Sequence, residues 1–506
     1  MKVSMVLKQL GVLLLILSNW ECCCGVDVIP KQRTYIRPKL LSRITHHIES
    51  SSVAMKSLHN QVFVVGRGGN TPEEGRTLAS VSGEMSTASA ILNMVVDLCP
   101  SGIMPLAYGV AVGGGTGLPV AATLLAVFGT LAAYTMVSIG RACEATNQAE
   151  LSGVWAQAVR EKTNWVPDVS VCLLTFGCCV FFSAFMGDIF SALAQAAGLP
   201  KFFQARWGAL VGLTLAPVLP LCLLRDLGAL AYTSGGGLLA ILYATLFVAR
   251  RWADRSYQKG GALFAMMAAA NENLLPRMAQ GSPFKVGPGS LIFLNLVCVG
   301  FLVHYNGANY YSGLKCRSVK TMRTVVASAM GTAFLIFLAM MGFGFKTFGL
   351  NAQPLLLNNY HKTADFGASW ARAAVGLAIL CGYPLMFMAC KTAFFALLSH
   401  VSDGKKVTPK GQAVISTGVL AVITAIACKC SEKDVGFVIG IVGALLGAFA
   451  CYIMPALINL GLASKQALDL SQSEIIFNKL LLALGVVFAI LGTAVTCLEQ
   501  FTDILE

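Results

Sequence analysis

From Thr87 to Leu498 the chain is a succession of long apolar runs, most without a charge near the middle. Eleven can be marked: 87–112, 117–138, 168–194, 207–224, 232–250, 288–312, 323–345, 371–399, 411–428, 434–460 and 478–498. A run of about 20 apolar residues is the length a helix needs to cross the hydrocarbon core of a bilayer. With no water inside that core, the backbone must satisfy its own hydrogen bonds, which a helix does within one segment. The pattern therefore predicts an all-α integral membrane protein of eleven transmembrane helices. Only 12% of the residues are charged and 56% are hydrophobic. Soluble domains carry about 25% charged residues, so this chain could not cover a water-facing surface.

The formal charge of +13 fits Lys and Arg in short loops and in the N-terminal region, where they orient a membrane protein. No basic run is interleaved with aromatics, so nucleic acid is not an expected partner. Most of the seventeen cysteines lie inside apolar runs, among them Cys172, Cys178, Cys179, Cys298 and Cys390, where Cys behaves as a small hydrophobe. No paired CxxC motif, metal-ligand set or Ser/His/Asp constellation occurs. The Gly-rich stretches Gly113–Gly115 and Ser234–Gly237 lack the following Lys-Ser/Thr of a phosphate loop. Neither an enzyme nor a cofactor is expected.

Residues 1–25 read as a signal-peptide-like segment, basic and then apolar but too short to span. Residues 26–83 are basic and poor in acids, the composition of a disordered or targeting region, and nothing is expected to fold before Gly83. Residues 84–506 form the membrane domain. No Asn-x-Ser/Thr acceptor occurs.

The span positions repeat. At the 206-residue offset between Pro100 and Asn306, the second to fifth runs fall on the seventh to tenth within a few residues. Five is odd, so the second copy must cross in the opposite sense, which is a 5+5 inverted repeat with one extra C-terminal helix. The first run of each half is interrupted. In the first the break reads Asp97-Leu98-Cys99-Pro100-Ser101-Gly102-Ile103-Met104-Pro105; in the second, His304-Tyr305-Asn306-Gly307-Ala308-Asn309. Broken helices at corresponding positions of two halves are the best sequence pointer to a transporter's binding site. Pro100, which has no amide hydrogen, opens the break and is counted with the substrate site; the amides freed beyond it, at Ser101, Gly102 and Ile103, suit a carboxylate. Carbonyls before it suit a cation, and Asp97, an ionisable group within a span, is expected to join them or to carry a proton. His304, Tyr305, Asn306 and Gly307 are candidates for recognising a substrate amine or for gating. Helix-to-helix hydrogen bonding is the competing reading. Asp188 and Lys391 are placed at span ends.

At these residues the chain resembles the amino acid/auxin permease family, particularly its sodium-coupled neutral amino acid transporter branch and vacuolar relatives. Four segments carry the likeness. Ser101-Gly102-Ile103 through Leu106-Ala107-Tyr108-Gly109 is similar to the family's first broken helix. Pro220 to Leu227, followed by Tyr232-Thr233-Ser234, is similar to the loop between spans four and five. Phe301 to Asn306, with Tyr311, Ser318 and Met322, resembles span six and the loop after it. Gly443-Ala444 with Pro455-Ala456-Leu457 resembles span ten. The resemblance implies eleven spans, a cytosolic N-terminus, a leucine-transporter-type fold and Na⁺- or H⁺-coupled movement of amino acids, with spans three and eight closing the site. The greater number of Lys and Arg in the loops this orientation makes cytosolic agrees with it. The chain departs from the family at Pro100, where a small residue is usual. In Cys381-Gly382-Tyr383-Pro384-Leu385, Cys381 stands where a hydroxyl would help hold Na⁺, which makes it a coupling-ion candidate and weakens the case for sodium. The expectation is a secondary active transporter of neutral amino acids working by alternating access, as a monomeric unit in a plasma or organelle membrane. A sensor with little flux and an uncoupled uniporter are the alternatives.

Overall fold

The computed structural model describes residues 77–113, 115–223, 233–278, 282–402 and 407–502. The signal-like segment 1–25 and nearly all of 26–83 lie outside them. The described residues are helical, with three isolated bridges and no strand. The main helices are α1 (Thr87–Gly102), α2 (Leu106–Ala111), α3 (Leu118–Thr146), α4 (Trp165–Ala196), α5 (Arg206–Leu223), α6 (Thr233–Ala253), α7 (Pro288–Gly300) and α8 (Gly307–Gly313). They continue with α9 (Val319–Phe348), α10 (Phe366–Val401), α11 (Pro409–Lys429), α12 (Glu432–Ser464) and α13 (Gln472–Phe501). Among the described residues, nine helical segments are long and apolar enough to cross a membrane, counting α7 and α8 as one; α1 is a shorter apolar helix.

Most helices run beyond the apolar runs read from sequence, because polar residues cap them. Ser86, Ser318, Asp365, Thr408, Ser431 and Ser471 each accept from the amide three residues on, at 3.1–3.3 Å. Each cap satisfies an orphan N–H of a first turn. At its far end α3 reaches Thr146, carrying Arg141 to Glu474 of α13 at 2.9 Å.

Buried helix pairs are joined by small residues and a few polar side chains, as membrane interiors require. Asn295 of α7 donates to the Gly492 carbonyl (3.1 Å) and the Thr496 hydroxyl (2.8 Å) of α13. α4 packs along α10, and α9 packs on α1 and α3. α5 and α11 meet through the hydroxyls of Thr214 and Thr424, 3.2 Å apart. α5 contains a π-helical turn at Thr214–Val218 around Pro217, and α12 contains two, at Val442–Gly447 and Phe449–Ile453. Gly443 lies in one of them, so close to α7 that a Cβ there would strike the Asn295 carbonyl.

The folded region begins earlier than Gly83. Residues 77–83 are held by Arg317, whose guanidinium donates to the carbonyls of Leu78 (2.6 Å) and Val81, while Leu78 N–H donates to Asn147 (3.0 Å). A charged donor satisfying carbonyls of a short segment, here a 3₁₀ turn (Leu78–Ser80) and the residue after it, is a tertiary contact, which composition of that segment could not reveal.

Asp188, about two turns before the end of α4, pairs with Arg206 at 2.5 Å, and Arg206 also reaches the Ala427 and Cys430 carbonyls. Lys391 of α10 donates to the Cys222 carbonyl at 3.2 Å. Both tie neighbouring elements together near span ends.

Candidate substrate and ion site

Both interrupted spans are present; the first break falls at the end of the stretch Asp97–Pro105, and the second begins a few residues before His304. Helix α1 continues through Pro100, Ser101 and Gly102, and the Ile103 amide donates to the Cys99 carbonyl at 3.0 Å. The interruption falls at 103–105, between α1 and α2. Pro100 has no amide to lose to the helix, and the second proline, Pro105, is the residue that heads the next segment. In the second half α7 ends at Gly300, and three residues of irregular backbone (301–303) and a 3₁₀ turn (His304–Asn306) precede α8.

The two interrupted spans meet at Asp97. The Tyr305 hydroxyl donates to Asp97 Oδ1 at 2.8 Å; Asn306 Nδ2 and the Tyr310 hydroxyl donate to Oδ2 at 3.2 and 3.3 Å. Asn309 in turn donates to Asn306 Oδ1 at 3.3 Å. Cys178 of α4 lies within electrostatic reach of the same carboxylate. Nearly two turns before the first break α1 thus carries an acid, and the second break and the helix after it carry the donors that bind it. Tyr310 was not among the candidates from sequence. Its signal was its place four residues after Asn306, on the same face of a helix that starts at Gly307.

Nearby, Gly102 lies against Gly300 across the two spans, and a Cβ on Gly102 would run into the Phe337 ring of α9. The glycine is required there by close helix approach. Gly307 is likewise packed: a Cβ there would lie 3.0–3.3 Å from Ile139 and Met136 of α3.

His304 points away from Asp97. Its Nε2 lies 3.0 Å from the Ala132 carbonyl and 2.9 Å from the Thr135 hydroxyl of α3, and its Nδ1 lies 3.2 Å from the Cys451 sulfur of α12. A carbonyl can only accept, so Nε2 carries the proton and Nδ1 accepts from the thiol. His304 is fully buried and joins α3, the second break and α12, which is the helix-to-helix reading of this residue. Cys381 sits partly buried in the middle of α10, which also packs on α1.

A second acidic centre lies away from the breaks, at the end of α6. Asp365, the N-cap of α10, accepts from Arg251 Nη2 (2.5 Å), Arg251 Nε (2.9 Å), the Tyr257 hydroxyl (2.9 Å) and the Ala368 amide (3.1 Å). Burial and the neighbouring Asp365 charge push the Tyr257 phenol up. Arg251 also pairs with Asp254 (2.9 Å). Partial burial acts to raise the Asp254 carboxyl, but the Ser256 hydroxyl and amide together with Arg251 outweigh it and hold the group below the usual range.

The helical bundle with two interrupted spans converging on one carboxylate has the leucine-transporter fold. The same fold occurs in a manganese transporter of Eremococcus coleocola, superimposed with a TM-score of 0.52 over 87% of this chain and 90% of that one at 12% identity. The pattern of the family described as transmembrane amino acid transporter protein matches residues 83–498, and the chain belongs to that family. Relatives include sodium-coupled neutral amino acid transporter 7 of Rattus norvegicus, 23% identical over 393 residues, which are 74% of this chain and 79% of the relative. Vacuolar amino acid transporter 5 of Schizosaccharomyces pombe is 22% identical over 57% of this chain and 64% of its own length. The protein is therefore an integral membrane protein of an amino acid transporter family, not of an enzyme family.

Proposed function

We propose that the protein is a secondary active transporter of neutral amino acids that works by alternating access, with eleven spans arranged as a 5+5 inverted repeat and one further helix. The observation that carries this reading is the convergence of both broken spans on Asp97. Spans that the 206-residue offset equates also touch one another, α4 with α10 and α5 with α11, as expected around a pseudo-twofold axis. Substrate binds between the breaks, its carboxylate received along Pro100–Ile103 and its amine near Tyr305 and Asn306. Because the Ile103 amide is bonded to Cys99, receiving the carboxylate requires that last turn of α1 to loosen. Asp97, with Cys381 as a further candidate, belongs to the coupling-ion side. Neutral side chains are favoured, because the break regions hold no second charged group to match a cationic or anionic one.

The test is uptake of a panel of labelled amino acids into proteoliposomes under imposed Na⁺ or proton gradients. Accumulation of one class above equilibrium supports the reading. Saturable binding with neither uptake nor exchange would replace it with an amino acid sensor.

A further inference from the structure

Asp97 is bound in an unusual way for an acid inside an apolar bundle. Its three partners, Tyr305, Asn306 and Tyr310, are all neutral donors, and all come from the second broken span. Among the described residues, the titratable side chains that interact with it are Tyr305 and Tyr310 beyond the second break and Cys178 on α4. Helices α6, α7, α9 and α10 also pack on α1, and none of them brings a Lys, Arg or His to the carboxylate. The one histidine close in sequence, His304, is spent on Ala132, Thr135 and Cys451.

From this arrangement, and resting on the transport reading above, we infer that the coupling ion is a proton carried by Asp97, and that this proton works the clasp between the two broken spans. An ionised carboxylate offers about four lone-pair sites and no donor, so it can hold all three donors at once. Adding a proton to one oxygen turns that oxygen into a donor and removes an acceptor site. The proton can take the fourth site, but the bonds from Tyr305, Asn306 and Tyr310 then lose the charge assistance of the anion and weaken. Protonation thereby loosens α1 from the second break and α8, and loss of the proton draws them together. A sodium ion would need a shell of oxygen lone pairs, whereas the groups around Asp97 face it with hydrogens. No atom other than the proton is exchanged: it is taken from water on one side of the membrane and returned to water on the other.

The test uses the full-length protein in proteoliposomes. Wild-type protein is expected to accumulate amino acid under an inward proton gradient in Na⁺-free buffer, and substrate addition should acidify the lumen, read by a trapped pH-sensitive dye. Asp97→Asn, whose amide resembles the protonated acid in carrying both an acceptor and donors, should lose at least about tenfold of gradient-driven accumulation. Whatever counterflow exchange it keeps should no longer depend on pH. A monodisperse protein whose thermal unfolding in detergent stays close to that of wild type shows that the variant is folded. Wild-type accumulation that follows Na⁺ and is indifferent to the proton gradient overturns the inference and leaves the transport reading standing. Proton-driven accumulation that survives in Asp97→Asn also overturns it. If wild-type protein shows neither accumulation nor exchange, the transport reading falls and takes this inference with it.

Discussion

Asp97 and Asp365 are the same residue in two different electrostatic settings. Asp365 has a fully buried side chain, yet its charge is cancelled by the Arg251 guanidinium, and it caps the positive end of α10. Every contact it makes is stronger for the ionised form. Asp97 is only partly buried and is held by two phenols and an amide that carry no charge. Nothing there fixes it as an anion, and its partners belong to a segment that is not continuous helix. The difference separates an acid that holds the bundle together from one that can change with it. An ionisable group inside a span is a functional candidate by default; whether it has a counter-charge tells which kind of function to expect.

The largest expected effect comes from removing the paired acid. Asp365→Ala strands the Arg251 charge, and breaking a buried pair from one side costs about 3–5 kcal/mol. Because Arg251 retains 19% side-chain exposure and the Asp254 contact, the lower end of that range is expected. Asp97→Asn keeps an acceptor for its donors and should cost about 1 kcal/mol. Thermal unfolding of the purified protein in detergent reads both. Equal losses would erase the distinction between the two acids.

Next in size is the packing beside Asp97. Gly102→Val drives a branched side chain into Phe337, an overpacking that costs about 1–3 kcal/mol, and uptake should be lost while membrane insertion persists. Two causes are possible, a blocked site or a jammed helix crossing. Gly102→Ala combined with Phe337→Leu separates them. Restored uptake in the pair assigns the glycine to packing between the spans, and persistent loss assigns it to the substrate path.

How much of this was open to a reader of the sequence depends on the range of the interaction. Hydropathy and span spacing are local, and they located the spans and both interruptions, because apolar length and polar insertions are written along the chain. The ends of the helices were read short, since a run was closed at its first polar residue although Ser318, Asp365 and Ser471 are caps rather than stops. The first interruption is expected within Asp97–Pro105, with amides freed from Ser101 onward, because a proline inside a helix suggests a rupture; with Pro105 five residues on, α1 runs through to Gly102 first. Partnerships between distant segments were not legible. Nothing near His304 in sequence names Ala132 or Cys451 as its partners, and nothing near Asp365 names Arg251. Tyr310 could have been found by following the helical face of Asn306 one turn further.

His304 and Tyr305 carry the comparison down to adjacent residues. His304→Leu removes bonds among α3, the second break and α12, and interhelical hydrogen bonds of this kind are worth about 0.6–2 kcal/mol. The expected outcome is lower thermal stability with apparent substrate affinity unchanged. Tyr305→Phe removes one donor from Asp97 and should do the reverse, leaving stability within about 1 kcal/mol while uptake falls several-fold. A His304 variant with normal stability and altered substrate preference would return that residue to the site.

The smallest effect belongs to Asp254, which shares Arg251 with Asp365 but keeps 34% side-chain exposure. An exposed ion pair contributes about 0.2–1 kcal/mol, so Asp254→Asn should be nearly silent where Asp365→Ala is not. Its pH signature has a definite sign. The folded-state carboxyl is held below its usual range, so the stabilisation is fully present above the unfolded value of about 3.9 and is lost as pH falls through the lower folded value. Melting curves of wild-type protein and Asp254→Asn should therefore differ slightly at pH 6 and converge as the pH is taken below about 4. A large gap at pH 6 would mean that Arg251 depends on both acids, and that the buried centre is a three-membered network whose strength cannot be credited to Asp365 alone.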